Sequence, residues 1–181
     1  MTTFREASGN LLASEADALV NTVNVVGVMG KGIALQFKRA YPANFEAYEA
    51  ACKQQQVRLG EMFVFDAGQL IRPRRIINFP TKGHWRSNSR LADVASELDD
   101  LRRVIVELGI TTMAVPPLGC GNGGLNWADV LPLIHSKLDG LDVEVTVYPP
   151  AAVPAAATMP VATTRPILTP GKATVVGMVE R

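Results

Sequence analysis

The chain has 181 residues, 48% hydrophobic and 19% charged, with a formal net charge of +1, which suits one ordinary globular domain with a sizeable core and room for an appendage. Its apolar runs are too short and interrupted to cross a bilayer, and its N-terminus, Met1-Thr2-Thr3-Phe4-Arg5-Glu6, lacks the apolar core of a secretory signal. The only two cysteines, Cys52 and Cys120, make no disulfide framework, so a membrane span and a disulfide scaffold are excluded and a reducing cytoplasm is the expected compartment.

Ala18-Leu19-Val20 leads into Asn21-Thr22-Val23-Asn24, an apolar strand whose C-terminal end turns polar, where open α/β sheets place ligand groups. The Gly-rich turn Val26-Gly27-Val28-Met29-Gly30-Lys31-Gly32 then opens a helix over 33–39, interrupted at Tyr41-Pro42, and Pro42 suits the first turn of a second helix through Phe45, Tyr48 and Cys52. At helical spacing, Tyr41, Phe45 and Tyr48 read as core. Residues 62–65 and 76–79 read as strands, the first ended by Asp66-Ala67-Gly68 and the second by Pro80. Leu91, Val94, Leu98, Leu101, Ile105 and Leu108 recur every three or four residues and predict an amphipathic helix closed by Gly109. A buried strand over 112–115, a second Gly-rich loop from Gly119 to Gly124, a helix over 126–138 and a last strand over 143–148 follow. The alternation predicts an α/β fold with a mixed sheet between two helical layers over residues 1–150. Beyond Tyr148-Pro149-Pro150 the composition shifts to Ala, Pro and Thr, so residues 151–181 read as a linker, with one short strand at Val175-Val176-Gly177-Met178-Val179 and a longer parent protein implied.

Two Gly-rich loops, each after a strand and before a helix, supply backbone N–H groups and helix N-termini to one pocket, as a diphosphate requires. Neither matches the nucleoside-triphosphate loop, because no Ser or Thr follows Lys31, and neither matches G-x-G-x-x-G in a dinucleotide-binding setting. The plainer reading is glycine placed for tight turns. Between Arg72 and Arg90 lie six basic residues and no acid. Such a run can track a phosphate backbone, but a solvated edge balanced by Asp93, Glu97, Asp99 and Asp100 reads slightly better on the residues alone. His84 and His135 are the only histidines and no helix carries ligand spacing, so no metal is expected. Cys120 with His135 as base lacks a located orienting acid, and Cys120 reads as a small loop residue.

Five blocks make the pattern specific. Gly9-Asn10-Leu11-Leu12, residues 18–24, residues 27–34, Asn78-Phe79-Pro80-Thr81-Lys82 with His84-Trp85, and Pro117-Leu118-Gly119-Cys120-Gly121-Asn122-Gly123-Gly124-Leu125 resemble, in order, the macrodomain of the DarG antitoxin family, and more distantly the terminal ADP-ribose protein glycohydrolases. The resemblance implies a three-layer α-β-α macrodomain with a central mixed sheet. It further implies a hydrolase that removes ADP-ribose from thymidine in single-stranded DNA, reversing a DarT-type toxin as its antitoxin, without a cofactor. Asn10 and Leu11 would then lie near the adenine, Asn24 at the distal ribose, and Gly27, Val28, Met29, Gly30, Lys31, Gly32 and Ile33 along the diphosphate and distal ribose. Thr81 and the loop from Pro117 to Leu125 would close the other side. Many macrodomains carry aspartate where Asn10 stands, and an amide oxygen accepts the adenine proton without charge assistance.

Lys82 matches the catalytic lysine of that resemblance, as nucleophile or as base, with a DNA-phosphate contact as its plainer role. Arg75 or Arg86 and partial burial would lower its pKa, and a bound diphosphate would raise it. The protein glycohydrolases pair their lysine with an aspartate in the last loop, where this chain has Asn122 among glycines, which disfavours protein esters as substrate. His84, Trp85, Arg86 and Arg90 are candidate DNA contacts, with Trp85 either stacking a base or packing at the rim. Alternatives from other classes are a module that holds ADP-ribose without cleaving it and a hydrolase of ADP-ribosyl protein esters. A monomer is expected, since no large apolar helix face is left unassigned.

Overall fold

The computed structural model describes residues 1–68 and 70–150, so the Ala/Pro/Thr linker and its short strand lie outside the described residues. Six strands form one sheet in the order β1 (Thr3–Glu6), β6 (Glu144–Val147), β5 (Thr112–Val115), β2 (Ala18–Asn24), β4 (Arg75–Lys82) and β3 (Phe63–Asp66). All neighbours are parallel except β3 with β4, which makes the sheet mixed as expected. Strands covered on both faces read as continuous apolar runs, and β2 is buried at six of its seven positions.

The two faces are separated by strand alternation. Val20, Ile77, Phe79 and Met113 pack with α3 (Leu91–Leu108) and α4 (Trp127–Leu138), through Leu98, Leu101 and Ile134. Leu19, Ile76 and Ala114 point the other way, onto Phe37 and Ala40 of α1 (Gly32–Ala40) and Leu12 of a short 3-10 turn (Leu11–Ala13). α2 (Pro42–Lys53) completes that layer with Tyr48, Ala51 and Cys52. Gly109 closes α3 in the left-handed region at φ 62°.

Three expectations change. Pro80 does not end its strand: β4 runs on to Lys82, because β3 pairs with it only as far as Asn78, and past that point a missing N–H breaks no bond to a neighbour on that side. β1 is an addition to the predicted elements, since a four-residue edge strand with a half-buried Phe4 carries no periodic signal. Glu97 is no solvated counter-charge, for it is among the fully buried residues of α3.

Candidate active site

The C-terminal ends of β2 and β4 meet at this end of the sheet, with Asn24 paired to Lys82 across an irregularity in the register. Around them opens a cleft of about 400 Å³. Asn10 and Leu11 line one side together with Gly9, Tyr148 and Pro149. Asn24, Val28, Gly30, Lys31, Gly32 and Ile33 form the first glycine wall, and Pro117, Gly119, Gly121, Asn122 and Gly123 the second. Thr81, Lys82 and Trp85 close the end between them. The five sequence blocks therefore converge on one space.

Several expected residues stand outside it. Met29 is 2% exposed and packs with Val23 and Tyr48, and Leu118 is buried in the core against α3 and α4. Gly27 turns at φ 85° against α2, where a side chain would meet Cys52. Cys120, Gly124 and Leu125 lie behind the second wall, and burial pushes the Cys120 thiol up to about 11, leaving it without thiolate at neutral pH. His135 stacks on Phe4 with ring centroids 4.2 Å apart and shares no hydrogen bond with Cys120.

Asn24 does work inside the protein. Its Oδ1 accepts from the backbone N–H groups of Val26 (3.0 Å) and Val28 (3.2 Å) and from the Tyr48 hydroxyl (2.9 Å), while its Nδ2 donates to the Val28 carbonyl at 2.7 Å. This amide holds the first glycine loop in shape. Asn24→Ala leaves two N–H groups without their acceptor and the Val28 carbonyl without its donor, while the Tyr48 hydroxyl keeps the Asn24 backbone carbonyl at 2.7 Å, so a loss of about 2–4 kcal/mol in stability is expected, read by urea unfolding. Unchanged unfolding would limit Asn24 to ligand contact. Beneath it lies an amide cluster that sequence reasoning missed. Asn78 Oδ1 accepts from Asn21 (3.1 Å) and Asn44 (3.2 Å), and Asn78 Nδ2 donates back to Asn44 at 2.8 Å and to the Phe63 carbonyl at 3.1 Å. These bonds tie α2 to the strands that carry Asn24 and Lys82.

Lys82 is half-buried, and its Nζ donates to the carbonyl oxygens of Trp85 (3.1 Å) and Asn122 (3.3 Å). Burial is the larger cause, and the charge of Lys31 the second, that holds its pKa below the ordinary lysine value. The cationic neighbour is thus Lys31, not Arg75 or Arg86. Arg75 lies at the far end of β4, where it and Arg74 pair with buried Asp17 at 3.9 and 3.5 Å, and Arg72 donates to the Glu15 carbonyl. The basic run is accordingly split between the two ends of one strand. Trp85 is 39% exposed, its ring carrying the Arg86 guanidinium at 4.5 Å and stacked on His84 at 5.4 Å, so it is a rim residue and not a core one. His84, Arg86 and Arg90 do not line the cleft. Gly32, at φ 56°, lets Asn122 approach so closely that a Cβ there would lie 3.0 Å from its amide nitrogen.

Among the described residues that line the cleft there are two lysines and no carboxylate. Such a site accepts an anion, and one of its two cations is held below its usual basicity. No group of three or more His, Cys, Asp or Glu side chains among the described residues is arranged to hold a metal, and no helix among them is long and apolar enough to cross a membrane.

The family described as Macro domain matches residues 20–134. The chain is 60% identical over 145 residues to a Mycobacterium tuberculosis protein named DNA ADP-ribosyl glycohydrolase, covering 80% of this chain and 41% of that protein, so it spans less than half of that relative. The solved macrodomain of Mycobacterium tuberculosis DarG superposes with a TM-score of 0.80 at 58% identity, covering 83% of this chain and 99% of that one. Thermosipho africanus DarTG, solved in complex with ADP-ribose, superposes with a TM-score of 0.74 at 30% identity over 88% of this chain and 45% of that one.

Proposed function

Because the chain belongs to the macro domain family, in its DarG branch, we propose that it hydrolyses the bond between ADP-ribose and thymidine in single-stranded DNA, as the antitoxin to a DarT-type toxin in the cytoplasm. The observation that carries this reading is Lys82, a lysine of lowered basicity at the mouth of a carboxylate-free cleft walled by glycine loops. The names of the relatives support the reaction, and a Thermosipho africanus relative named as a fusion of DNA ADP-ribosyl transferase and DNA ADP-ribosyl glycohydrolase supports the toxin as partner.

The glycine walls suit the diphosphate, whose charge the helix termini and Lys31 offset. The distal ribose then lies toward Lys82, with the modified base beyond it at Trp85. When the glycosidic bond breaks, its electron pair leaves with the base nitrogen, and the anomeric carbon gains oxocarbenium character. A neutral Lys82 amine meets that need in one of two ways: it takes a proton from the attacking water, or it attacks the sugar carbon itself. Water completes either route, its oxygen ending on the sugar and its proton on the departing base. A site without an acid relies on this amine alone.

A second reading has its own support. The two carbonyls around the Lys82 ammonium stabilise the protonated, unreactive form, as suits a module that binds ADP-ribose without cleaving it. Incubating the purified chain with a short thymidine-containing single strand that carries ADP-ribose separates the two. Free ADP-ribose and the unmodified strand mass are expected; a strand bound tightly and left intact would put the binding module first. On the same strand, Trp85→Ala is expected to weaken binding about 5- to 100-fold, the equivalent of about 1–3 kcal/mol for one stacked base, with the melting temperature unchanged. A loss of folding in that variant would assign Trp85 to packing at the rim instead.

A further inference from the structure

The segment between β4 and α3 is fastened to the second glycine wall at one residue. Ser89 is 5% exposed, and its backbone N–H donates to the Gly123 carbonyl at 2.9 Å. Its side chain is wedged into the loop. A Cβ added at Gly123 would collide with Ser89 Oγ and with the Gly119 carbonyl, and one added at Gly119 would lie 3.1 Å from Ser89 Cβ. The loop is closed on itself there, as the Leu125 N–H donates to the Gly119 carbonyl at 2.9 Å. The Ser89 hydroxyl has no hydrogen-bond partner among the described residues, so what Ser89 supplies is its bulk and its backbone.

This contact joins the two pieces of chain that hold Lys82. Trp85, four residues before Ser89, offers one carbonyl to its ammonium, and Asn122, one residue before Gly123, offers the other. In a cleft without a carboxylate, these two oxygens are the acceptors that orient the amine. We propose that Ser89 is a positioning residue for Lys82: wedged between Gly119 and Gly123, it sets the spacing of the Trp85 and Asn122 carbonyls, which take the place of an orienting acid. The inference rests on Lys82 being the working residue of the proposed hydrolase, and it adds that a shape, not a hydroxyl, controls that residue.

The test is an NMR titration of Lys82 in the full chain carrying 13C-labelled lysine, its signal identified by Lys82→Arg. Added bulk in Ser89→Val or Gly123→Ala pushes the wall outward and withdraws a carbonyl from the ammonium. Its pKa is then expected to fall by about one unit, a tenfold shift toward the neutral amine. Ser89→Ala, which keeps the Cβ and removes only an unpartnered hydroxyl, is expected to leave the Lys82 pKa in place and the melting temperature equal or higher. Folded Ser89→Val or Gly123→Ala protein with an unshifted Lys82 overturns the proposal, and so does a Ser89→Ala shift as large as that of Ser89→Val. Should Ser89→Val not fold, Ser89→Thr applies the same pressure with one methyl. The titration contains no DNA, so its outcome is independent of whether the chain cleaves a modified strand.

Discussion

Lys82→Ala is expected to lower kcat for release of ADP-ribose from a modified strand by about 10²–10⁴-fold, the usual contribution of one positioned acid, base or nucleophile. Affinity for free ADP-ribose should change far less, because the glycine walls and Lys31, the groups proposed to meet the diphosphate, are untouched. The sign of the pH dependence follows from the environment. Burial first, and Lys31 second, disfavour the ammonium and bring the neutral amine into play at a lower pH than for a free lysine. The wild-type rate should therefore rise with pH through the depressed Lys82 pKa, and Lys31→Gln should move that limb to higher pH. Borohydride added during turnover distinguishes the two chemical routes. A covalent sugar adduct on Lys82 marks attack at the anomeric carbon, and its absence from an otherwise active enzyme marks proton transfer. Full activity in Lys82→Ala would remove the lysine from the chemistry altogether.

How far the residues announced this site depends on how local each signal is. The stripe from Leu91 to Leu108 predicted α3 residue for residue, because an amphipathic face repeats within one element. The glycine loops were visible for the same reason: their residues are contiguous, and each follows an apolar strand. Lys82 was placed by its block at the end of β4, although Pro80 made that strand look shorter than it is. The missing parts are those decided by partners distant in the chain. Asn44 and Asn78 bond across 34 residues, and Asn21 and Asn78 across 57, and nothing in either neighbourhood marks a buried amide. Asn24 lines the cleft where a ribose contact is expected, and its Oδ1 also holds Val26, Val28 and Tyr48, of which Tyr48 lies 24 residues on and leaves no mark near Asn24 in the sequence. Lys31 tunes Lys82 from the first glycine wall, a relation set by how the chain folds and not by any spacing. Tyr148 and Gly9 reach the cleft because β1 and β6 pair side by side at the sheet edge, and β1 was itself too short to read.

Glu97→Gln is expected to make the protein more stable at pH 9 by at least about 1 kcal/mol while changing little at pH 5. Glu97 is fully buried, one of its oxygens accepts only a long 3.4 Å bond from the Gly60 N–H, and the other has no hydrogen-bond partner among the described residues. Burial is the main cause that pushes its pKa up to about 8, with the Gly60 bond opposing and Asp93 adding a little. An acid raised in this way keeps its proton in the folded state after the unfolded chain has released it. Stability is therefore full below the ordinary glutamate pKa, falls as pH rises from there, and levels off above about 8 once both states are ionised. Glutamine can still accept from Gly60 and carries no charge to bury, so its unfolding free energy should lose this slope. Lys82, held below its ordinary value, and the two thiols, pushed above theirs, are shared by both proteins and cancel in the comparison. The consequence reaches the site through the edge of the sheet: Glu97 holds Gly60, and Asp100 on the next turn of α3 accepts from the Met62 N–H at 2.7 Å, so together they seat the chain entering β3, which pairs with the Lys82 strand. Urea unfolding of both proteins at pH 5, 7 and 9 decides it, and parallel pH profiles would mean that Glu97 is ionised in the fold and stabilised by contacts beyond Gly60.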